Sequence, residues 1–188
     1  NDSVSTNEDS LLSGNVFIDN GNGADSDLDG DTFQVSEVNG NVANVDTQIM
    51  LTSGALLTVN SNGTFDYDPN GAFESLAVGE QDTDSFDYTI TDGNGGFDTA
   101  TVTITITGVN DDPDATDDTG VDFTTDEDNS FTTGNVLDND SDTDTTDMLS
   151  VSGVDTTGTL GSVTNNGDGT FSYDPNGMFE SLAVGESA

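Results

Sequence analysis

The chain contains no Lys, Arg or His, against 38 Asp plus Glu, and its formal net charge is -38. It also contains no Cys and no Trp. Without His, Cys and Lys, the chain cannot form a Ser–His–Asp triad, a Cys–His pair, a Schiff-base lysine or a zinc site with nitrogen and sulfur ligands. A carboxylate pair of the glycosidase type stays possible, but the aromatic walls of a sugar cleft normally include Trp. We therefore predict that the protein is not an enzyme.

The lack of cationic side chains also restricts the possible partners. Phosphate binding depends on Lys and Arg, so we expect no nucleic-acid partner and no attraction to anionic lipids. No apolar run reaches 18 residues, so we expect no membrane insertion. Two carboxylates ~5 Å apart repel by roughly 3 kcal/mol at an effective dielectric constant of ~20. Clustered carboxylates must therefore be stabilised by backbone N–H groups, by water or by a metal cation.

The composition is close to that of disordered chains, because Leu, Ile, Val and Phe make up only about a fifth of it. The patterning argues against disorder. Thr99–Thr107 alternates strictly, Phe86–Thr91 alternates as well, and Asp92–Gly96 between them is turn-like, which predicts a long β-hairpin. We predict further strands at Thr32–Val38, Gln48–Leu51, Ala55–Val59 and Thr64–Tyr67, and one helical turn at Phe73–Leu76.

The sequence repeats itself. The block Gly63–Glu80 recurs at Gly169–Glu186 and differs only at Asp66/Ser172 and Ala72/Met178. Upstream, Ser13–Val16 matches Thr133–Val136, and Glu8–Asp9 matches Glu127–Asp128. The period of about 100–120 residues is the size of a whole domain.

Several short strands per copy predict an all-β protein made of tandem β-sandwiches. We place the first module at 1–110, an acidic linker at 111–115 and the second module at 116–188. The second module lacks a counterpart of Asp84–Thr107, so we expect it to be an incomplete sandwich without its C-terminal hairpin. Missing strands would leave exposed edges that another chain could pair with.

Four segments carry a resemblance to a known family: Tyr67–Glu80, Asp84–Gly96, Thr101–Asp111 and 135–142. Together they resemble the VCBS repeat, a cadherin-like module that occurs in tandem in giant bacterial surface adhesins, often beside RTX segments. The resemblance covers nearly the whole chain. It implies immunoglobulin- or cadherin-like Greek-key sandwiches and calcium-dependent stiffening between modules. It also implies secretion to the bacterial cell surface, with neighbouring repeats of the same protein as partners.

The first candidate calcium site is Asp25-Ser-Asp-Leu-Asp-Gly-Asp31. Asp25, Asp27 and Asp29 alternate and Gly30 is in sixth place, as in the first half of an EF-hand loop. The twelfth position is Ser36 rather than Glu, so the loop is not a complete EF-hand and needs a ligand from elsewhere. The second copy has Asp140, Asp142 and Asp144 in the corresponding stretch.

The second candidate lies between the modules and follows from the resemblance to cadherins. There, acidic linker residues share calcium with a Glu of the preceding module and an Asp-x-Asp of the next. The corresponding ligands in this chain are Glu8, Asn110, Asp111, Asp112, Asp140 and Asp142, with Asp92 as a possible addition. An open, flexible linker is the alternative.

We therefore expect a calcium-stiffened stalk repeat of a secreted adhesin. One alternative is a subunit of an extracellular filament, in which identical chains complete the second module by strand pairing. Another is a carbohydrate-binding module that recognises surface glycans.

Overall fold

The computed structural model describes all 188 residues, and they form two compact units. Unit 1 comprises Asn1–Asp111 together with Asp144–Thr146. Unit 2 comprises Asp112–Thr143 and Asp147–Ala188. Helical structure is limited to short 3-10 helices at Val42–Asn44 and Val121–Phe123. The structure has no helix with the length and apolar character needed to cross a membrane.

Unit 1 is a sandwich of two four-stranded sheets. Its strands are β1 (Asp2–Asn7), β2 (Leu12–Asn15), β3 (Gln34–Val38), β4 (Gln48–Met50), β5 (Leu56–Val59), β6 (Thr64–Asp68), β7 (Gln81–Thr91) and β8 (Phe97–Thr107). One sheet has the order β1-β8-β7-β3 and the other β2-β6-β5-β4. Strand β1 runs parallel to β8, whereas β7 and β8 form an antiparallel hairpin. The all-β sandwich prediction is confirmed for this unit.

The core of unit 1 follows from strand alternation. Val102, Ile104 and Ile106 share one face of β8 and are fully buried. On the facing sheet, Phe65 contacts Phe86 of β7 edge-on, with ring centroids 5.6 Å apart. The hairpin β7–β8 therefore contributes a large share of the apolar surface that the core buries.

One local prediction differs from the observed structure. Strand β7 begins at Gln81 rather than Phe86, because the first residues of the strand also pair with β8. The sequence did not predict this extension, because Asp82 and Asp84 are not typical strand residues. The predicted single turn at Phe73–Leu76 is present: the Leu76 N–H donates to the Phe73 carbonyl at 3.0 Å, and the segment is too short to form a helix.

Unit 2 consists of one three-stranded sheet. Its strands are β9 (Phe131–Thr132), β10 (Ser162–Asn165) and β11 (Phe171–Asp174), in the order β10-β11-β9. Every fully buried hydrophobic side chain of the protein belongs to unit 1. Unit 2 therefore has strands but no closed core.

Candidate functional site

The most unusual carboxylate in unit 1 is that of Glu8, which follows β1 and is only 3 % exposed. Its Oε1 accepts a hydrogen bond from the Val109 N–H at 2.7 Å. Its backbone N–H donates to the Thr107 carbonyl at 3.2 Å. Its Oε2 is buried and has no hydrogen-bond partner, and the nearby Asn7 Oδ1 is buried in the same way. Burying a carboxylate oxygen without a partner is costly, so this position favours a cation or a proton.

Other acidic groups surround Glu8. Burial is the main cause of the raised pKa of Glu8, and the negative charges of Glu74, Asp144 and Asp9 raise it further against the Val109 hydrogen bond. Burial also raises the pKa of Glu74, with contributions from Asp9 and Asp111. Like charges are gathered here in a chain that has no cationic side chain to balance them.

Of the candidate linker ligands, Asp111 joins this cluster, together with Asp144 from the second copy of the acidic run. The Asp111 N–H donates to Asp144 Oδ2 at 2.9 Å, and Asp144 is only 1 % exposed. The Asn110 side-chain amide donates to the carbonyl of Asp111. We call Glu8, Glu74, Asp111 and Asp144 the Glu8 cluster. It lies where the chain leaves β8 and where β1 ends.

The remaining linker candidates belong to unit 2. Asp112, Asp140 and Asp142 all lie in that unit. Asp140 Oδ1 accepts from the Thr116 N–H at 2.8 Å, and Asp114 pairs with Ser141 in an isolated β-bridge. These contacts hold 114–116 against 140–141.

The acidic side chains of the Asp25–Asp31 segment have separate hydrogen-bond partners. Asp27 Oδ1 accepts from the N–H groups of Asp29 and Asp31, which is an ordinary capped turn. Asp31 Oδ2 accepts from the Asn94 side chain at 2.8 Å. Asp92 Oδ1 accepts from the N–H groups of residues 94 and 96, and these bonds lower the pKa of Asp92.

Asp25 has a different partner. Its Oδ2 lies 2.9 Å from the Tyr88 hydroxyl, which also lies 3.1 Å from Asp2 Oδ2 and 3.2 Å from the Val16 carbonyl. One hydroxyl proton therefore faces three acceptors, and only one of them can receive it. Burial is the main cause of the raised pKa of Asp2, and the charge of Asp25 adds to it.

Sequence reasoning missed Glu74, Asn7 and Asp2. Glu74 lies inside the repeated block, where it looks like an ordinary turn residue. Asp2 carried a usable signal: it shares a strand face with Val4, so a carboxylate occupies a position that alternation assigns to the core.

The fit to calcium can be judged from these contacts. The Glu8 cluster supplies only oxygen donors, which suits a hard divalent cation, and the buried Glu8 Oε2 has no other partner. However, no group of three or more acidic side chains is arranged as a complete metal site. The residues fit the chemistry of the ion, and ligands would have to move closer to coordinate it.

Comparison with known proteins gives one consistent result. A family model described as a bacterial cadherin-like domain matches residues 1–108. A second, described as a cadherin-like domain, matches residues 109–184. A search of curated proteins found no match.

Proposed function

Because the chain belongs to the bacterial cadherin-like domain family, we propose that it is a calcium-stiffened stalk repeat of a secreted bacterial surface adhesin. Domains of this family suggest a role in adhesion or as structural repeats, and they are typically not enzymes. They are usually extracellular and generally bind calcium. Family membership alone does not establish three parts of this proposal: the stalk role, the dependence on calcium and the secretion.

The observation that carries the proposal is the Glu8 cluster. A buried carboxylate oxygen without a partner lies among other acids whose charges raise its pKa. A calcium ion would neutralise these charges and accept six to eight oxygen ligands. Glu8, Asp111 and Asp144 would hold it, with Glu74 close by. The Val109 N–H orients the Glu8 carboxylate, and the Asp111–Asp144 hydrogen bond holds the backbone after β8.

The stiffening follows from where these residues lie. Glu8 is at the end of β1, and 109–111 is the segment that leaves β8. An ion held by both would restrict the backbone of 109–111, which otherwise depends on a few hydrogen bonds. A stalk repeat needs this restriction, because a linker rich in like charges is extended and mobile without counter-ions.

The test is a thermal melt in excess chelator and in millimolar calcium, followed by circular dichroism. Sites of this type often bind with a Kd of about 10⁻⁴–10⁻³ M. At tenfold excess over Kd the stabilisation is about 1.4 kcal/mol, which raises the melting temperature by several degrees. Amide ¹⁵N relaxation of 108–111 should show slower, more restricted backbone motion with calcium.

Glu8→Gln should remove most of the calcium-dependent shift, because it replaces a charged ligand by a neutral one. The matched control is Glu180→Gln, since Glu180 is the exposed counterpart of Glu74 in the second copy. Identical melting curves for the unmodified protein in chelator and in calcium would refute calcium binding. A shift that Glu8→Gln leaves intact would refute this site.

The carbohydrate-binding alternative has less support. Tyr67 and Tyr88 are buried in the core of unit 1 and cannot serve as a sugar platform. The filament alternative depends on the open face of unit 2.

A further inference from the structure

Asn-Gly pairs occur at eight places in the chain, and this dipeptide readily loses the side-chain amide of its Asn without an enzyme. The reason is steric: glycine has no Cβ, so its backbone nitrogen can approach the side-chain carbonyl carbon of the preceding Asn. A fold slows this reaction where it holds the Asn side chain or the glycine N–H. The eight pairs should therefore react at rates that depend on their hydrogen bonds.

In six of the pairs a hydrogen bond holds the Asn side chain. In four of these the side-chain Nδ2 donates to an oxygen acceptor at 2.8–3.1 Å, namely in Asn20, Asn70, Asn94 and Asn166. In the other two the Oδ1 atom accepts from a backbone N–H, at 2.9 Å for Asn39 and 3.1 Å for Asn62. In all six the side chain must give up a bond before it can turn toward the glycine nitrogen.

The side chains of Asn22 and Asn176 form no hydrogen bond. Asn176 lies in the left-handed region with φ of 54°, at a turn that the Met178 N–H closes onto the Pro175 carbonyl at 3.0 Å. Ring closure needs a different backbone conformation, so this turn must open first. Asn22 has a negative φ and lies exposed in the loop after β2. It is therefore the Asn with the fewest restraints.

The glycine partner of Asn22 is open to the reaction as well. No heavy atom lies within 4 Å of the position that a Cβ on Gly23 would take. The Gly23 N–H donates to Asp19 Oδ1 at 2.9 Å, and the Gly21 N–H donates to the same oxygen at 2.9 Å. These two bonds lower the pKa of Asp19, so the carboxylate stays charged at neutral pH. The restraint on Gly23 therefore comes from one exposed side chain.

From these observations we infer that Asn22–Gly23 is the first site of spontaneous deamidation in this protein and that Asp19 slows the reaction there. The Gly23 nitrogen loses its proton to hydroxide and attacks Cγ of Asn22. The new N–Cγ bond forms, the Cγ–Nδ2 bond breaks, and the amide nitrogen leaves as ammonia. Water then opens the succinimide ring. Breaking the N–Cγ bond leaves an aspartate at position 22, and breaking the bond to the main-chain carbonyl leaves an isoaspartate.

Either product changes the loop between β2 and Asp25. It adds a negative charge to a chain without cationic side chains. The isoaspartate also lengthens the backbone by one atom between two anchored residues. The Asn20 carbonyl accepts from the Ser3 N–H at 3.2 Å, and the Asp25 carboxylate accepts from the Tyr88 hydroxyl at 2.9 Å. No metal takes part, so the inference does not rest on calcium binding.

The test follows all eight positions while the folded chain is incubated in chelator at neutral and at mildly alkaline pH. Pepsin fragments are analysed by mass spectrometry, which detects the exchange of NH₂ for OH, and isoaspartate is labelled with an isoaspartate methyltransferase. Position 22 should convert roughly tenfold faster than position 70, which is the effect of one hydrogen bond of ordinary strength. The rate should rise with pH, because the Gly23 nitrogen must lose its proton.

Two variants test the role of Asp19. Asp19→Ala removes the acceptor of the Gly21 and Gly23 N–H groups and should speed the conversion of position 22 several-fold, with position 70 unchanged. Asp19→Asn is the matched control, because its amide oxygen can still accept both bonds, and it should react at about the rate of the unmodified chain. Thermal melts check that both variants are folded. An unchanged rate in Asp19→Ala would show that Asp19 does not protect this site.

A denatured control separates the effect of the fold from that of the sequence. In guanidinium chloride all eight pairs should convert at similar rates, because each Asn is followed by glycine and none is held. The inference is overturned if another Asn-Gly pair converts before Asn22 in the folded chain. It is also overturned if the folded and the denatured chain show the same order of reactivity.

Discussion

Residues 63–80 and 169–186 are nearly the same sequence in two different surroundings. Their local structure is the same: Gly63 and Gly169 both have φ of 85°, and their carbonyls accept from Val16 and Val136 at 2.9 Å. In unit 1, Phe65, Tyr67 and Phe73 of the block are buried. In unit 2, their counterparts Phe171, Tyr173 and Phe179 line an open cleft. Local sequence therefore determines the turns and strand pairs, whereas burial depends on the strands that pack against the block, as β7 does against Phe65 in unit 1.

The largest difference should come from removing the first phenylalanine of the block. Phe65→Ala leaves a cavity in a closed core and should cost about 3–5 kcal/mol in unit 1. Phe171→Ala should cost far less, about 1 kcal/mol, because Phe171 is already partly exposed. Chemical denaturation followed by unit-resolved NMR signals measures both. Equal losses would show that unit 2 has a closed core in solution.

The next largest difference should be in the loss of stability caused by Tyr88→Phe and by Tyr173→Phe. Tyr88→Phe removes the only proton shared among Asp2, Asp25 and the Val16 carbonyl, and should destabilise unit 1 by about 1–3 kcal/mol. Tyr173→Phe loses one bond at a more exposed position and should cost less than about 1 kcal/mol. The same denaturation experiment applies. If Tyr88→Phe leaves the free energy of unfolding of unit 1 unchanged, the Tyr88 hydroxyl does not stabilise the two carboxylates.

Acidification should affect the two units in opposite directions. The acids with raised pKa, Asp2, Glu8 and Glu74, all belong to unit 1. Their charged forms are disfavoured in the folded state, so unit 1 gains stability as the pH falls through their folded pKa toward the ordinary values of 3.8 and 4.5. Unit 1 also has two exposed acids with a lowered pKa, Asp19 and Asp92. Their protonation reduces the stability of unit 1, but only at a lower pH than the gain described above.

In unit 2 the shifted acids are Asp126, Asp155 and Asp168, and hydrogen bonds lower the pKa of each. Their contribution is present above 3.8 and is lost as the pH falls through their folded pKa. Thermal melts from pH 7 to pH 3 in chelator, resolved by unit with NMR, test this. If the melting temperature of unit 1 in chelator were highest at pH 7, the predicted pH dependence would be wrong. Calcium should move the optimum of unit 1 toward neutral pH, because the ion binds the charged carboxylates.

The smallest difference should be at the glycines that begin the block. Gly63→Ala and Gly169→Ala force a side chain into the left-handed region, which costs about 1 kcal/mol or more. The added Cβ would also lie 2.5 Å from Phe17 in one case and 2.0 Å from the Asn135 side chain in the other. Both variants should therefore lose similar stability, as denaturation midpoints can show. A large gap between them would mean that the two turns differ.

Much of the fold could be predicted from the sequence, because its evidence is local. Strict alternation of apolar and polar residues predicted β8, and the Gly- and Asn-rich turn predicted the hairpin. Both patterns can be recognised from neighbouring residues, without knowledge of contacts to distant parts of the chain. The start of β7 was missed, because Asp82 and Asp84 are strand residues only through their pairing with β8.

The candidate site could be predicted less well. The pattern of Asp25–Asp31 is that of a calcium loop, yet the fold turns Asp25 toward Tyr88 and leaves Asp27 capping a turn. Glu74 was missed because its proximity to Glu8 depends on how the turn after β6 packs. Asp111 and Asp144 were proposed as ligands for different reasons, and only the fold brings them together.

The sequence by itself determined that buried carboxylates have no cationic side chain to balance them. They depend on neutral donors such as backbone N–H groups and hydroxyls, on protons or on metal ions. It also determined the two copies of one block and their shared turns, because these depend on neighbouring residues. The tertiary structure alone decided which acids are buried together and which apolar faces are covered. Both depend on contacts between residues far apart in the chain, which neighbouring residues do not determine.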